Sequence, residues 1–418
     1  MARGGRGRIL EAETEYRQRK KGRKEERKKD GKRDSPQRTQ RAQRSQEGLG
    51  VDDLRILQKT ERLHEGRWWE PVEGGRVHCY LCPRHCRIGE GQAGFCFIRV
   101  NRGGVLYSLG YGAPAALQVD PIEKKPLNHF LPGTRVFSMG TAGCNMGCFF
   151  CQNWDISKSR ADQVRSQPVA PEDVPLLARQ YGCDSIAFTY NEPTIWGEYV
   201  IDICKAAREL GLKTVMVSNG YITREAFHDI YDHVDAANID LKAFTENFYG
   251  KITLTHLEPV LETLRWLKSE TNVWFEITNL MIPDLNDDPA ETRRLAEWIL
   301  RELGPDVPLH FTAFHPDFKL KDRGRTPAAT LDRAREIARE VGLNYVYEGN
   351  IFSEAANTSC PSCGTVLIRR SWHDVTENRL VDGKCCDCGF AIAGRWERGS
   401  SAGQGGAERL RKYLHLNL

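Results

Sequence analysis

The chain has 418 residues and sets 60 Lys and Arg against 56 Asp and Glu, a formal net charge of +4 at pH 7. That length holds a large domain with small satellites and excludes a mini-fold dependent on staples. The basic excess sits in the first ~50 residues, so it belongs to a tail and not to the body. No apolar run reaches the ~18 residues needed to cross a bilayer, and the N-terminus lacks the apolar core of a signal peptide, so a soluble cytoplasmic protein without a membrane partner is expected. Twelve of the 14 cysteines fall into three tight clusters with metal-ligand spacing, and Cys183 and Cys204 stand alone. This pattern points to metal sites in a reducing compartment instead of disulfides.

Residues 1–65 are rich in Arg, Lys, Gln, Glu and Gly, with too few apolar positions to offset ordering entropy. They are expected to be a disordered basic tail, with helix allowed from Val51. The runs Arg19-Lys20-Lys21 and Arg27-Lys28-Lys29 are suited to touching nucleic acid, but acidic residues interleave and no aromatic stacking platform accompanies them. Specific nucleic-acid binding is therefore the lesser expectation.

A four-cysteine module occupies 76–100. Cys79, Cys82, Cys86 and Cys96 follow C-x2-C-x3-C-x9-C, a set that closes a shell around zinc or saturates an auxiliary iron–sulfur cluster. A structural role is the expectation.

From 134 to 351, strand-like apolar runs alternate with helical patterns, which predicts parallel βα units. The strands are expected at 135–139, 185–190, 214–218, 236–241, 273–280 and 309–314, and the helices at 172–181, 197–210, 224–233, 257–268, 289–303 and 331–341. Six units make an α/β partial or closed (β/α)6 barrel, with chemistry collected at the carboxyl ends of the strands. Cysteine-rich metal-binding modules flank it on both sides.

Directly after the first of these strands, Gly143-Cys144-Asn145-Met146-Gly147-Cys148-Phe149-Phe150-Cys151 carries C-x3-C-x2-C. Three thiolates on one loop can ligate three irons of a [4Fe–4S] cubane and leave the fourth iron open, unlike a four-cysteine electron carrier. A zinc knuckle, the competing reading, ordinarily uses C-x2-C pairs.

This loop, with Phe150 before its last cysteine, resembles the signature loop of radical S-adenosylmethionine (SAM) enzymes. Thr189-Tyr190-Asn191-Glu192-Pro193 resembles that superfamily's Gly-Gly-Glu-Pro segment, although Tyr190 and Asn191 stand in place of the paired glycines. The resemblance implies that SAM chelates the open iron and that Asn191 and Glu192 meet its methionyl ammonium. Ser218 and Asn219, at the end of the third strand, would meet the ribose and carboxylate, although Asn219-Gly220 is also a common turn pair. Alternation turns Asp240 and Lys242 to the barrel interior, toward SAM, the substrate or each other. The segments 278–287 and 311–316 resemble SAM-contacting edges of glycyl-radical activating enzymes, and His315 is a candidate for the adenosine or the substrate.

Taken in order, Cys79-x2-Cys82-Pro83-x2-Cys86, Gly94-Phe95-Cys96, the central loop and Thr189 to Trp196 resemble the AmmeMemoRadiSam-system radical SAM proteins, relatives of pyruvate formate-lyase activating enzymes. The likeness spans about 76–351. It implies that the reduced cluster cleaves SAM to methionine and a 5′-deoxyadenosyl radical, which abstracts hydrogen from a protein or small-molecule substrate. The electron would come from a donor such as flavodoxin or ferredoxin. The alternatives are a radical SAM tRNA-modifying enzyme, suggested by the basic tail and the C-terminal knuckles, and a non-catalytic iron–sulfur electron carrier or metal sensor.

Beyond the barrel, Cys360-x2-Cys363-Gly364 and Cys385-Cys386-Asp387-Cys388-Gly389 form two knuckles of a zinc-ribbon-like module at 360–394. Cys360, Cys363, Cys385 and Cys388 are the expected ligands, with Cys386 spare and rubredoxin-like iron the competing metal. A Gly/Ser-rich linker and a short tail complete 395–418.

Overall fold

Short runs of β-branched and aromatic residues separated by amphipathic segments bury themselves best as strands covered by helices, and the computed structural model shows this arrangement over its described residues, 63–397. Nearly all of the expected basic tail and C-terminal linker lie outside those residues.

An eight-stranded sheet forms the body: β1 (Ala116–Pro121), β2 (Arg135–Gly140), β3 (Ser185–Phe188), β4 (Lys213–Ser218), β5 (Ala236–Asp240), β6 (Trp274–Met281), β7 (Leu309–Ala313) and β8 (Val346–Gly349). They are ordered sequentially from β1 to β8. β1 runs antiparallel to β2, pairing Ala116 with Gly140, and the remaining seven strands are parallel. The crossovers carry α1 (Asp173–Gln180), α2 (Gly197–Glu209), α3 (Arg224–Tyr231), α4 (Glu258–Glu270), α5 (Pro289–Leu303) and α6 (Ala328–Val341). β1 and β8 do not pair with each other, so the barrel is partial and open on one side.

The six expected strands and six helices are all present. The structure adds β8, a seventh parallel strand, and the antiparallel β1. Helix ends follow local chemistry: at α5 the Asp288 side chain accepts the N–H of Glu291 at 2.9 Å with Pro289 in the first turn, while Gly342 closes α6 at φ 116°, a conformation open to glycine.

Between β1 and β2 the chain turns under the barrel, and Ile122, Leu127, Phe130 and Leu131 pack with Val136, Ala187, Val215 and Ala236 to plug its floor. The segment 63–110 forms two small three-stranded sheets against α2. A buried Arg99–Glu198 ion pair at 2.9 Å ties them on, each side chain 2 % exposed. Thr358–Ser359, Val366–Ser371 and Asp374–Asn378 make an antiparallel sheet whose Leu367 and Ile368 pack with Tyr345 and Tyr347 beside β8. No helix of the described residues is long and apolar enough to cross a membrane.

Candidate active site

The loop after β2 is held in shape by contacts that only small residues permit. Gly143 sits at φ +82°, and a Cβ there would lie 2.0 Å from the carbonyl oxygen of Cys96. The N–H groups of Gly147 and Phe149 donate to the carbonyls of Thr253 and Ile252 at 2.7 and 3.1 Å, and Lys158 Nζ donates to the Met146 carbonyl at 2.5 Å. The Asn191 amide donates to the carbonyls of Ala142 and Gly143 at 3.2 and 2.9 Å. Asn191 therefore clamps the loop backbone.

These contacts turn Cys144, Cys148 and Cys151 toward one cavity of about 580 Å³, within the range of small-molecule sites. Asn191, Glu192, Asn219, Asp240 and Lys242, from the carboxyl ends of β3, β4 and β5, line it as well. The Asn219 amide reaches Cys144 Sγ at 3.9 Å and Asn145 Oδ1 at 2.9 Å. Burial pushes the Cys144 thiol up to about 12, with the Lys158 ammonium opposing it, and burial likewise raises Cys148 against Lys242. Such buried thiols become ligands when a metal supplies the compensating positive charge.

Glu192 is 1 % exposed. Its Oε1 accepts the Thr194 N–H at 3.0 Å and the Ser218 hydroxyl at 2.8 Å, and its Oε2 accepts the Asn219 N–H at 2.8 Å. Ser218 is thus turned to Glu192 and does not line the cavity. Burial raises the Glu192 carboxyl while these donors work the other way. Lys242 Nζ and Asp240 Oδ2 pair at 2.9 Å. Burial disfavours the ammonium, but Asp240 and Cys148 raise its pKa above the ordinary lysine value.

His315 is exposed, bonds the adjacent Pro316 carbonyl at 3.1 Å, and stays outside the cavity. Its β7 neighbour His310 lines the cavity instead and pairs with buried Glu276 at 2.7 Å. Strand alternation could have singled out His310, which shares a face with Thr312. Lys125, Arg370 and Trp372 also reach the cavity, from segments distant in sequence and without a motif of their own.

The donor set fits a cluster better than a single ion. Among the described residues, ligand atoms in sets of three or more come within 4.8 Å of one another only at Cys360, Cys363, Cys385 and Cys388. The loop cysteines stand wider, as each must when binding its own iron. The C-terminal sulfurs, by contrast, pair at 3.6 Å, Cys360 with Cys388 and Cys363 with Cys385. This approaches the ~3.8 Å edge of a tetrahedron with ~2.3 Å metal–sulfur bonds. Cys386 points away, toward Asp387.

An open parallel barrel with a three-cysteine loop at the carboxyl edge defines the class, and comparison with known proteins agrees. The radical SAM superfamily profile matches residues 139–296. An uncharacterized protein of Methanocaldococcus jannaschii is 45 % identical over 309 residues, 74 % of this chain and 92 % of that protein. The pyruvate formate-lyase 1-activating enzyme of Escherichia coli is 21 % identical over 235 residues, 52 % of this chain and 93 % of the enzyme. A solved domain of a pyruvate-formate lyase-activating enzyme from Bacteroides vulgatus superposes with a TM-score of 0.35 at 20 % identity, covering 40 % of this chain and 99 % of that one. The chain belongs to the radical SAM superfamily, whose members carry a [4Fe–4S] cluster and SAM.

Proposed function

We propose that Cys144, Cys148 and Cys151 hold the [4Fe–4S] cluster and that SAM occupies the adjoining cavity, making this chain a hydrogen-abstracting enzyme. The observation that carries this reading is the convergence of the three thiols with Asn219, Asp240 and Lys242 on one cavity. When bound, the cluster and SAM supply one-electron cleavage of the sulfonium to methionine and a 5′-deoxyadenosyl radical that abstracts hydrogen.

The chain's own residues position and enclose. Glu192 fixes Asn219 through the backbone N–H, leaving the Asn219 side chain between the loop and the cavity. Asn191 holds the loop, while the Asp240–Lys242 pair supplies paired charges to the cavity beside Cys148 and Phe150. The floor is plugged, and on the open side between β1 and β8 Gln118, Asn350, Trp372 and His373 line the cavity. At that rim Phe352, 81 % exposed, packs on Trp372 with ring centroids 4.8 Å apart, a surface suited to a peptide segment. The substrate is accordingly a protein that the enzyme activates or modifies, with a flavodoxin- or ferredoxin-type donor supplying the electron.

In this reading residues 134–351 carry the chemistry, and the module at 360–394 holds one structural zinc ion through Cys360, Cys363, Cys385 and Cys388. The test is anaerobic, dithionite-dependent formation of 5′-deoxyadenosine by the reconstituted chain. Turnover that persists in Cys148→Ala sinks the assignment.

A further inference from the structure

The four-cysteine module before the barrel has no part in the reaction as described. A hairpin pairing Arg76–Cys79 with Cys86–Ile88 brings Cys79 and Cys86 together, its turn supplies Cys82, and the segment after Gly94 supplies Cys96. All four line one void, where the centre of a water-sized sphere has about 10 Å³ in which to move. Four thiolates around one zinc ion, each ~2.3 Å from it, leave no such room. The C-terminal module shows the contrast in the same chain, since its sulfurs pair at 3.6 Å, while no three of the N-terminal sulfurs gather within 4.8 Å.

We propose that Cys79, Cys82, Cys86 and Cys96 hold an auxiliary [4Fe–4S] cluster, saturated by protein thiolates, that passes single electrons to the loop of Cys144. The site itself is independent of the proposed function; its role as a relay rests on that reading. Wide spacing and a central void are what four irons with separate ligands require.

The module abuts the loop. The backbones of Cys96 and Gly143 are packed so closely that a Cβ on Gly143 would meet the Cys96 carbonyl at 2.0 Å, and Cys144 is the next residue. Arg84 of the module donates to the carbonyls of Asn145 and Leu254. Asn145 lines the void and bonds Asn219 at 2.9 Å, which lines the catalytic cavity. On the outer side Cys86 is half-buried, and Arg84 lies over the exposed ring of Phe95 at 3.4 Å, so an electron donor has a surface to approach. One electron leaves a reduced flavodoxin- or ferredoxin-class donor, reduces the auxiliary site, and then passes to the cluster at Cys144, Cys148 and Cys151, reoxidising the auxiliary site.

The test is metal analysis and EPR on the full chain, reconstituted anaerobically with iron and sulfide. Wild-type protein should carry about eight irons, and the Cys144→Ala/Cys148→Ala/Cys151→Ala variant should keep about half, with a reduced-cluster signal that SAM does not perturb. Zinc in place of that iron, or loss of all iron, overturns the auxiliary cluster. If the triple variant instead keeps all the wild-type iron, the catalytic loop reading fails while the auxiliary site stands. For the relay, limiting reduced flavodoxin should build a lasting SAM-insensitive signal in Cys148→Ala protein that wild-type protein discharges as methionine forms. Equal persistence of that signal in both proteins overturns the relay.

Discussion

The buried carboxylate of Glu192 accepts the backbone N–H of Asn219 at 2.8 Å, joining the end of β3 to the end of β4. Because the Asn219 amide in turn bonds Asn145 beside Cys144, one carboxylate sets the spacing between the cysteine loop and the cavity wall.

Replacing Glu192 by Gln disturbs this join without changing its size. All three neighbours donate to the carboxylate, so whichever way the new amide turns, its NH2 group faces a donor. A cost of about 1–3 kcal/mol is expected from the unmatched group. Thermal unfolding should register it, and equilibrium dialysis of SAM against the reconstituted variant should show affinity weakened about tenfold. Wild-type stability together with wild-type SAM binding would rule out the positioning role.

Acid stability should depend on His129. Its Nδ1 donates to the Ala393 carbonyl at 2.6 Å and its Nε2 accepts from the Tyr347 hydroxyl, so the ring is held neutral beneath the barrel. Burial pushes its pKa down to about 4 despite the opposing Glu276 carboxylate, with Arg370 and His310 also facing it. Because the unfolded imidazole titrates near 6.5, the unfolded chain binds the extra proton between about pH 6.5 and 4. Stability from this group is therefore present above that window and lost as pH falls through it, by up to about 3 kcal/mol. Urea unfolding of wild type and His129→Gln across the window should show the steeper loss in wild type. Glu123, raised to about 7 chiefly by burial, works in the opposite sense in both proteins and drops out of the comparison. Parallel curves would contradict the assignment.

In the C-terminal module the two adjacent cysteines should behave differently. Cys385 is buried and faces Cys363 at 3.6 Å, whereas Cys386 is exposed and turned to Asp387. Cys386→Ser should retain one tightly bound zinc ion per chain, and Cys385→Ser should lose it and expose the module to proteolysis between 358 and 395. Zinc retained by Cys385→Ser and lost by Cys386→Ser would reverse the ligand assignment.

Much of this arrangement was legible in the sequence because local chemistry repeats it. The cysteine spacings mark all three clusters, and the βα alternation marks six strands with their helices. β8 escaped because Val346-Tyr347-Glu348-Gly349 is short and charged at its end, and β1 because its alternating Ala116 to Pro121 lies outside the βα period. Lys125 and Arg370 reach the cavity only after the chain folds back under and across the barrel, a long-range relation that no spacing encodes, whereas His310 lies on a barrel strand where alternation with Thr312 marks it. His315 follows its strand closely enough to suggest a role, yet the turn at Pro316 leaves it facing outward. The glycine-poor Tyr190-Asn191 pair has its explanation in the fold: Tyr190 adopts φ +70°, its hydroxyl donates to Asp120 at 2.8 Å, and Asn191 grips the cysteine loop.

The three cysteines of the loop after β2 are the residues on which the proposed function turns. The direct measurement is 5′-deoxyadenosine released from SAM by the anaerobically reconstituted chain with dithionite, quantified for wild type and Cys148→Ala. Formation by wild type and its loss in the variant, with the folded structure retained by circular dichroism, is the predicted result. Equal formation by both proteins, or none by a wild-type chain that carries its full iron complement and binds SAM, would contradict it.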